Sequence, residues 1–194
     1  AYYNIKLLGE ANLFSEWYAK KFVKKNKLIK FKTNLTKQIK FLLSNLNSKE
    51  KIFVHRDFHV SNLIKFKNKI GVIDSQDALI GNRAYDLASL IDDVRFKTHK
   101  KLKDKIYNHY LKLNKKKINE AVLLNDFEIL SILRNMKIIG IFTRLAIRDK
   151  KKKYLKLIPY AWKLIELRIS NNEIFGDLKK LLDLNFSQKI RNQK

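Results

Sequence analysis

Apolar residues in the first 46 positions recur at spacings of three and four, which is the period of a helix with one buried face. The run LLGEANLFSEWYAKKFV predicts one helix, and residues 31–46 predict a second. The positions of the second helix that should face the core are Leu35, Ile39, Leu42, Leu43 and Leu46. We therefore expect the chain to begin with two packed helices.

The period of the pattern changes after residue 50. KIFVHRD, NLIKFKN and KIGVID are short runs rich in β-branched and aromatic residues, and turn-forming residues separate them. The last two runs are joined at Asn68-Lys69 and predict a β-hairpin. This hairpin would bring Asp57, Asn62 and Asp74 to neighbouring strand ends.

From Gly81 onward the pattern is helical almost to the end of the chain. The predicted helices cover residues 84–95, 98–113, 120–148, 154–169 and 174–185. Residues 127–145 are apolar on nearly every side, which predicts a central buried helix. We expect one domain over residues 1–194, mainly α with a small β-hairpin region (α+β), and a frayed tail at residues 187–194.

Composition excludes several classes of protein. With 45% apolar residues in a total of 194, the chain is long enough and apolar enough to bury a core. It has no Cys, so neither disulfides nor thiolate metal sites are available. No apolar segment approaches the roughly 18 residues that a membrane span requires, and we expect no signal peptide. The expected location is cytoplasmic.

The formal charge of the chain is +25, yet residues 55–93 carry a net charge of −1 because six Asp residues fall there. An acidic segment within a basic protein suggests a divalent-cation site. The lysines are scattered over the predicted helices, so we interpret them as a solvated surface and do not expect a nucleic-acid partner. A non-catalytic, basic module that binds nucleic acid is the alternative from another functional class.

The segment HRDFHVSN (55–62), followed by an Asp at the end of KIGVID, carries the candidate chemistry. An Asp, an Asn five positions later and a second Asp after a short strand form the pattern of a phosphoryl-transfer site. Asp57 would accept or orient the proton of a substrate hydroxyl. Asn62 and Asp74 would hold Mg²⁺ on the phosphates of a nucleotide, because Mg²⁺ prefers oxygen ligands.

Other polar residues of this region receive secondary roles. Structural or orienting roles are expected for three residues of the motif: His55, Arg56 and Asp86. Asp77, which lies just past the second Asp of the pattern, and His59 are the candidates for contact with the substrate. Asp92 and Asp93 are interpreted as charges on a helix surface.

The residues around Asp74 disfavour an ordinary protein kinase. Ser75-Gln76 follows it in place of Phe-Gly, and only eleven residues separate it from Asp86, which leaves no room for an activation loop. The five glycines form neither GxGxxG nor GxxxxGK[ST], so no glycine-rich phosphate loop can be built. A small-molecule acceptor fits this sequence better.

With these residues, the chain resembles the aminoglycoside phosphotransferase and choline kinase superfamily, whose signature is H-x-D-x-x-x-x-N followed by a metal-binding Asp. Within it, the chain is most similar to the N-acetylmuramate/N-acetylglucosamine kinases of cell-wall recycling. The segments that carry the resemblance are NLFSEWY (12–18), FVHRDFHVSNLI (53–64), GVIDSQDALIGNRAYDLASLIDD (71–93), RNMKIIGIFTRLAIRD (134–149) and YLKLIPYAW (154–162).

This resemblance implies the C-terminal lobe of a protein-kinase-like fold, with the N-terminal ATP-binding lobe absent. It implies an enzyme that uses ATP and Mg²⁺ to phosphorylate the anomeric hydroxyl of an amino sugar. Asp57 would be the base, Asn62 and Asp74 the metal ligands, and Asp77 a neighbour of the sugar. The implied partners are ATP, the sugar and the missing lobe of the same protein, so the fragment alone is expected to be weak or inactive.

Two points qualify the resemblance. Ser75 stands where the family commonly has Phe, which would loosen the packing beneath the metal-binding loop. The acceptor is also open within enzymes, because an aminoglycoside or choline-type phosphotransferase would carry the same signature.

Overall fold

The computed structural model describes residues 2–47, 51–114 and 117–193, and within them it is mainly helical with a small β content, as predicted; the strands form two antiparallel sheets. Its helices are α1 (Tyr2–Leu13), α2 (Lys20–Phe22), α3 (Lys25–Ser44), α4 (Ala84–Ile91), α5 (Lys100–Asn114), α6 (Glu120–Ile147), α7 (Ile158–Ile169), α8 (Gly176–Asn185) and α9 (Gln188–Arg191). Its strands are β1 (Ile52–Val54), β2 (Leu63–Phe66), β3 (Lys69–Val72) and β4 (Leu79–Gly81). Among the described residues, no helix is long and apolar enough to cross a membrane.

The chain forms two compact units. The first unit contains residues 1–45 and 132–194, and the second contains residues 46–131. Helix α6 contributes its first twelve positions, 120–131, to the second unit and the rest to the first. The single domain expected from the sequence stays a prediction.

Aromatic side chains form the core of the first unit. Phe14 contacts Trp162 and Phe186 edge-on, with ring centroids 5.5 and 5.4 Å apart, and Tyr18 lies 5.5 Å from Phe186. Edge-on pairs of this kind contribute about 0.5–1.5 kcal/mol each beyond the area that they bury. On α3, four of the five predicted core positions are buried, whereas Leu46 lies beyond the end of the helix and is half-buried.

Gly140 allows α6 to pass close to the end of α1 in the first unit. A Cβ atom at position 140 would lie 2.6 Å from the carbonyl oxygen of Leu13 and 2.7 Å from the amide nitrogen of Phe14. At this point the chain leaves α1 and continues as a π-helical turn over Phe14–Ala19. The contact between the two backbones therefore depends on the absence of a side chain at position 140.

The expected frayed tail at 187–194 is wrong for the part of it that the structure describes. Residues 188–191 form α9, and the Arg191 side chain is 6% exposed. Its guanidinium donates to Glu166 at 2.8 Å and to Asp183 at 2.6 Å, and it lies 4.8 Å from the centroid of the Trp162 ring. These contacts hold the last helix against α7 and α8.

The second unit contains both sheets. β2 and β3 form the predicted hairpin, with Phe66 opposite Lys69, so the two turn residues are Lys67 and Asn68 and not the expected Asn68-Lys69. Lys67 has a φ of 52°, in the left-handed region that a tight two-residue turn requires at its first position. β1 pairs with β4, which is only three residues long and was not predicted.

The predicted helices after Gly81 are present, with shifted ends. α4 ends at Ile91 and not at residue 95, while α5 and α6 match their predictions within two residues. The predicted helices 154–169 and 174–185 begin as short 3₁₀ segments, Lys152–Leu157 and Glu173–Phe175, before α7 and α8. Within α6, every position from 126 to 140 except Lys137 is buried, which confirms the central helix.

Candidate active site

The loop that follows β1 is held by a carboxylate from α4. The backbone N–H groups of His55 and Arg56 donate to the two carboxylate oxygens of Asp86, at 2.7 and 2.9 Å. Arg56 has a φ of 73°, a left-handed conformation that costs about 1 kcal/mol or more for a residue with a side chain. The two hydrogen bonds that Asp86 accepts offset this cost and fix the direction in which the chain enters Asp57.

Asp57 opens a compact turn. Its carbonyl oxygen accepts the backbone N–H of His59 at 3.0 Å and the side-chain amide of Asn62 at 2.9 Å. Its side chain is half-buried, and no described residue donates a hydrogen bond to its carboxylate. The carboxylate is therefore available to a molecule from outside the chain.

Asn62 ends the 3₁₀ turn Val60–Asn62 and is 8% exposed. Its backbone N–H donates to His59, and its backbone carbonyl accepts the N–H of Ile73 at 3.1 Å, one residue beyond the register of the hairpin. Because its side-chain nitrogen is engaged with Asp57, its side-chain oxygen is the end left for a ligand. No residue in the described parts of the chain donates to that oxygen.

Asp74 follows β3 with a φ of 70°, again in the left-handed region, and its side chain is exposed. The residue before it is fixed from two sides, because the Ile73 N–H binds Asn62 and the Ile73 carbonyl lies 2.9 Å from the Nε2 atom of His55. Since a carbonyl only accepts, His55 must carry its proton on Nε2. The structure thus links the segments of Asp57, Asn62 and Asp74 through direct hydrogen bonds.

The candidates for substrate contact differ in exposure. Asp77 is exposed, and its backbone carbonyl accepts a 2.9 Å hydrogen bond from the guanidinium of Arg56, which ties the two loops together. His59 is only 7% exposed, so its ring is packed within the protein. Of the two, Asp77 has the carboxylate that a substrate could reach.

The interpretation of Asp92 and Asp93 as helix-surface charges is wrong. Asp92 is 0% exposed and binds the Lys103 ammonium at 2.8 Å and the Ser131 hydroxyl at 2.6 Å. Asp93 is 1% exposed, accepts the backbone N–H of Arg95 at 2.9 Å, and lies 3.4 Å from the Val60 nitrogen. The sequence near residues 92 and 93 carries no signal for these contacts, because the partners lie up to 39 positions away.

The acidic segment does not form a carboxylate-only metal cluster. Within residues 2–47, 51–114 and 117–193, no group of three or more His, Asp or Glu residues is placed to hold a metal ion. What the loops do offer is one amide oxygen, from Asn62, and one carboxylate, from Asp74. Such a pair fits Mg²⁺, which usually keeps several waters and takes one or two protein carboxylates beside the phosphates of a substrate.

Comparison with known proteins identifies a family and several relatives of the chain. The model of the "Phosphotransferase enzyme family" matches residues 9–118, which include the whole candidate site. Curated relatives that carry the name N-acetylmuramate/N-acetylglucosamine kinase are similar to this chain. The protein from Neisseria meningitidis is 34% identical over 158 residues, which cover 79% of this chain and 47% of the relative. Those from Caulobacter vibrioides (31%; 68% of this chain, 37% of the relative) and Pseudomonas aeruginosa (27%; 94% and 55%) are also similar.

The matches cover different shares of this chain and of its relatives. The chain spans about half the length of the curated relatives that it matches. The family model, in contrast, covers more than half of the chain itself and includes every residue of the loops described above. The chain belongs to the phosphotransferase enzyme family.

Proposed function

We propose that this chain is the catalytic and acceptor-binding part of an ATP- and Mg²⁺-dependent kinase for an amino sugar of the N-acetylmuramate/N-acetylglucosamine type. One observation carries the proposal: the Asp57 carboxylate, to which no described residue donates, lies in a loop bonded to Asn62, and Asn62 is bonded to Ile73, the residue before Asp74. The names of the relatives support the acceptor class. The fold would be the C-terminal lobe of a protein-kinase-like enzyme.

Asp57 is the proposed base. Its carboxylate takes the proton of the acceptor hydroxyl as the hydroxyl oxygen bonds to the γ-phosphorus of ATP. The bond between that phosphorus and the β–γ bridging oxygen breaks, and ADP leaves with the bonding electrons. Because this transition state is loose, the main contribution of Asp57 is to orient the hydroxyl, and its half-buried position limits competition from water.

Asn62 and Asp74 are the proposed metal ligands. A bound Mg²⁺ would neutralise the negative charge that builds up on the phosphate oxygens. The chain prepares both ligands in advance. The Asn62 amide is oriented by its bond to the Asp57 carbonyl, and the Asp74 backbone stays in a left-handed conformation that the contacts of Ile73 maintain.

The acceptor favoured by the local charges is a neutral or anionic alcohol. A cationic acceptor such as choline or an aminoglycoside would need exposed carboxylates, and the sequence offered Asp77, Asp92 and Asp93. Asp92 and Asp93 are at most 1% exposed, so an acceptor cannot reach their carboxylates. Asp77 is therefore the proposed hydrogen-bond acceptor for a sugar hydroxyl. The ring of His59 is packed within the protein and is less accessible to a substrate.

The experiment supplies the chain with ATP, Mg²⁺ and a panel of acceptors: N-acetylmuramate, N-acetylglucosamine, choline and kanamycin. Products are followed by ³¹P NMR. Because the sequence contains no glycine-rich phosphate loop, we expect slow turnover by residues 1–194. The assay is therefore repeated with a chimera in which this chain replaces the matching part of the Neisseria meningitidis relative.

Transfer to the amino sugars and not to the cationic acceptors is the expected result. Replacing Asp57 by Asn should lower the rate by about 10²–10⁴-fold without loss of stability, because no described residue depends on its carboxylate. An Asp104→Asn variant, altered at an exposed position of α5, is the control. A chimera that binds ATP but works equally well with Asn at position 57 would contradict the catalytic role.

A further inference from the structure

We infer that Asp93 is a positioning residue, which holds the turn that carries Asn62 and thereby aims the side-chain oxygen of Asn62. The inference rests on the proposed function for the role of Asn62 as a metal ligand. It assigns a task in that site to a carboxylate that the proposed reaction does not otherwise use.

The contact runs from Asp93 to the first residue of the turn. One carboxylate oxygen of Asp93 lies 3.4 Å from the backbone nitrogen of Val60, and the other accepts the Arg95 N–H at 2.9 Å. Val60 begins the 3₁₀ turn that Asn62 ends, and its carbonyl accepts the N–H of Leu63, where β2 begins. Asp93 therefore holds the turn at its start, two positions before the ligand.

Two carboxylates attached to the same helix hold the two ends of the loop. Asp86, in the first turn of α4, binds the N–H groups of residues 55 and 56, while Asp93 follows the last residue of α4 by two positions. The loop between them contains Asp57 and Asn62. Because Asp86 lies in α4 and Asp93 lies two positions past its end, α4 and the short segment after it set the spacing between the entry of the loop and its final turn.

The chemistry of Asp93 suits this task. A carboxylate at 1% exposure is costly to bury unless hydrogen bonds satisfy it, and an ionised carboxylate can accept from two N–H groups at once. Its neighbour Asp92 is neutralised separately by Lys103. The Arg95 guanidinium lies 3.8 Å from Asp93, so it balances part of the charge, while the two N–H groups supply the hydrogen bonds.

Removing a residue that orients a metal ligand typically costs 10–100-fold in metal affinity or activity. Two substitutions test the link from its two ends. Asp93→Ala deletes the acceptor. Val60→Pro deletes the N–H that faces Asp93. Proline fits there because residue 60 is the first of its turn and His59 before it is extended. The Val60 side chain is also 41% exposed, so its loss disturbs little packing.

The measurement is NMR of the ¹⁵N-labelled chain. It records hydrogen exchange of the Asn62 backbone N–H, which binds His59, and the shifts of the Asn62 side-chain amide, which binds Asp57. We expect both substitutions to speed this exchange by about tenfold and to move the side-chain shifts toward those of an exposed amide. Asp104→Ala, at an exposed position in the same unit, should change neither signal.

Unchanged Asn62 signals in either folded variant would overturn the inference, and if Asp93→Ala does not fold, Val60→Pro decides alone. Mn²⁺ added as a probe should broaden the signals of Asn62 and Asp74 in the unsubstituted chain, and should need about tenfold more metal in the variants. No broadening in the unsubstituted chain would contradict the proposed metal site. The exchange data would still decide whether Asp93 holds the turn.

Discussion

His55 and Arg56, the first two residues after β1, lie beyond the residues that pair β1 with β4. Their backbone N–H groups donate to the Asp86 carboxylate instead. We predict that Asp86→Ala lowers the free energy of unfolding by about 3 kcal/mol, since two charge-assisted hydrogen bonds are lost and two part-buried donors are left unsatisfied. Urea unfolding of this variant measures the loss. Asp86→Asn, which keeps one acceptor, should fall between it and the unsubstituted chain; equal stability of all three would contradict this role.

Tyr18 gives a prediction for alkaline pH. The pKa of Tyr18 is raised to about 12. Burial raises it, and the Trp162 hydrogen bond and the charge of Arg191 lower it by less. Because the pKa in the folded state lies above the unfolded value of 10.0, the phenol contributes stability that is complete below pH 10 and is lost as the pH rises toward 12. The loss should reach about 2–3 kcal/mol.

The measurement compares urea unfolding at about pH 9 and about pH 11.5 for the unsubstituted chain and Tyr18→Phe. Other tyrosines and lysines titrate in both proteins, so the comparison isolates Tyr18. The unsubstituted chain should lose more stability over this range than the variant does. Parallel losses would show that Tyr18 ionises as freely in the folded protein as in the unfolded one.

Single residues also show what the sequence could reveal. The roles of Asp57, Asn62 and Asp74 were proposed from local spacing, and the structure connects their loops by hydrogen bonds. The burial of Asp92 and Asp93 could not be predicted in the same way. Their partners lie elsewhere in the chain, and an acidic pair after an amphipathic helix is usually solvated.

At the scale of elements, prediction succeeded where a long periodic pattern specified a buried face. α3 has such a pattern and was identified from residue 31, although the helix begins at Lys25, while α6 was identified from its long apolar run. β4 and α9 were missed because each has only three or four residues, too few to show a period. Their existence depends on pairing with β1 and on the contacts of Arg191, which are tertiary interactions.

The crossing of α6 and α1 gives a prediction about two glycines. Gly140→Ala should destabilise the protein by more than about 2 kcal/mol, because the new methyl group meets backbone atoms, which cannot rotate away as a side chain could. Gly9→Ala in α1 is the control. It meets nothing within 4 Å and should stabilise the helix by about 0.5–1 kcal/mol.

Thermal unfolding of the two glycine variants should therefore move the midpoint in opposite directions. A Gly140→Ala midpoint equal to that of the unsubstituted chain would mean that α6 can shift away from Leu13 at little cost. In that case the close contact would not be a requirement of the fold.

At the scale of the whole molecule, the charge of +25 governs the response to salt. Lysines repel one another over distances comparable with the Debye length, which shrinks as salt is added. We predict that raising NaCl from about 0.05 M to about 0.5 M increases the midpoint of thermal unfolding by several degrees. A decrease would indicate that attractive ion pairs dominate instead.

A charge reversal on α3 sharpens this test. Lys30 is exposed on a helix that contains six lysines and no acidic residue. Lys30→Glu should stabilise the protein at low salt by about 0.3–0.5 kcal/mol, because it removes repulsion and adds attraction to Lys27 one turn away. The difference should vanish at high salt. A benefit that persists there would point to helix propensity and not to charge.

The division of the chain between its two units has a consequence for biosynthesis. Residues 1–45 pack with residues 132–194, so α1 and α3 leave the ribosome well before the chain that completes their core. At ordinary rates of translation this interval lasts several seconds. Throughout it, the side of α3 that packs against α8 lacks its native partner, and the strong lysine charge of the nascent polypeptide opposes aggregation.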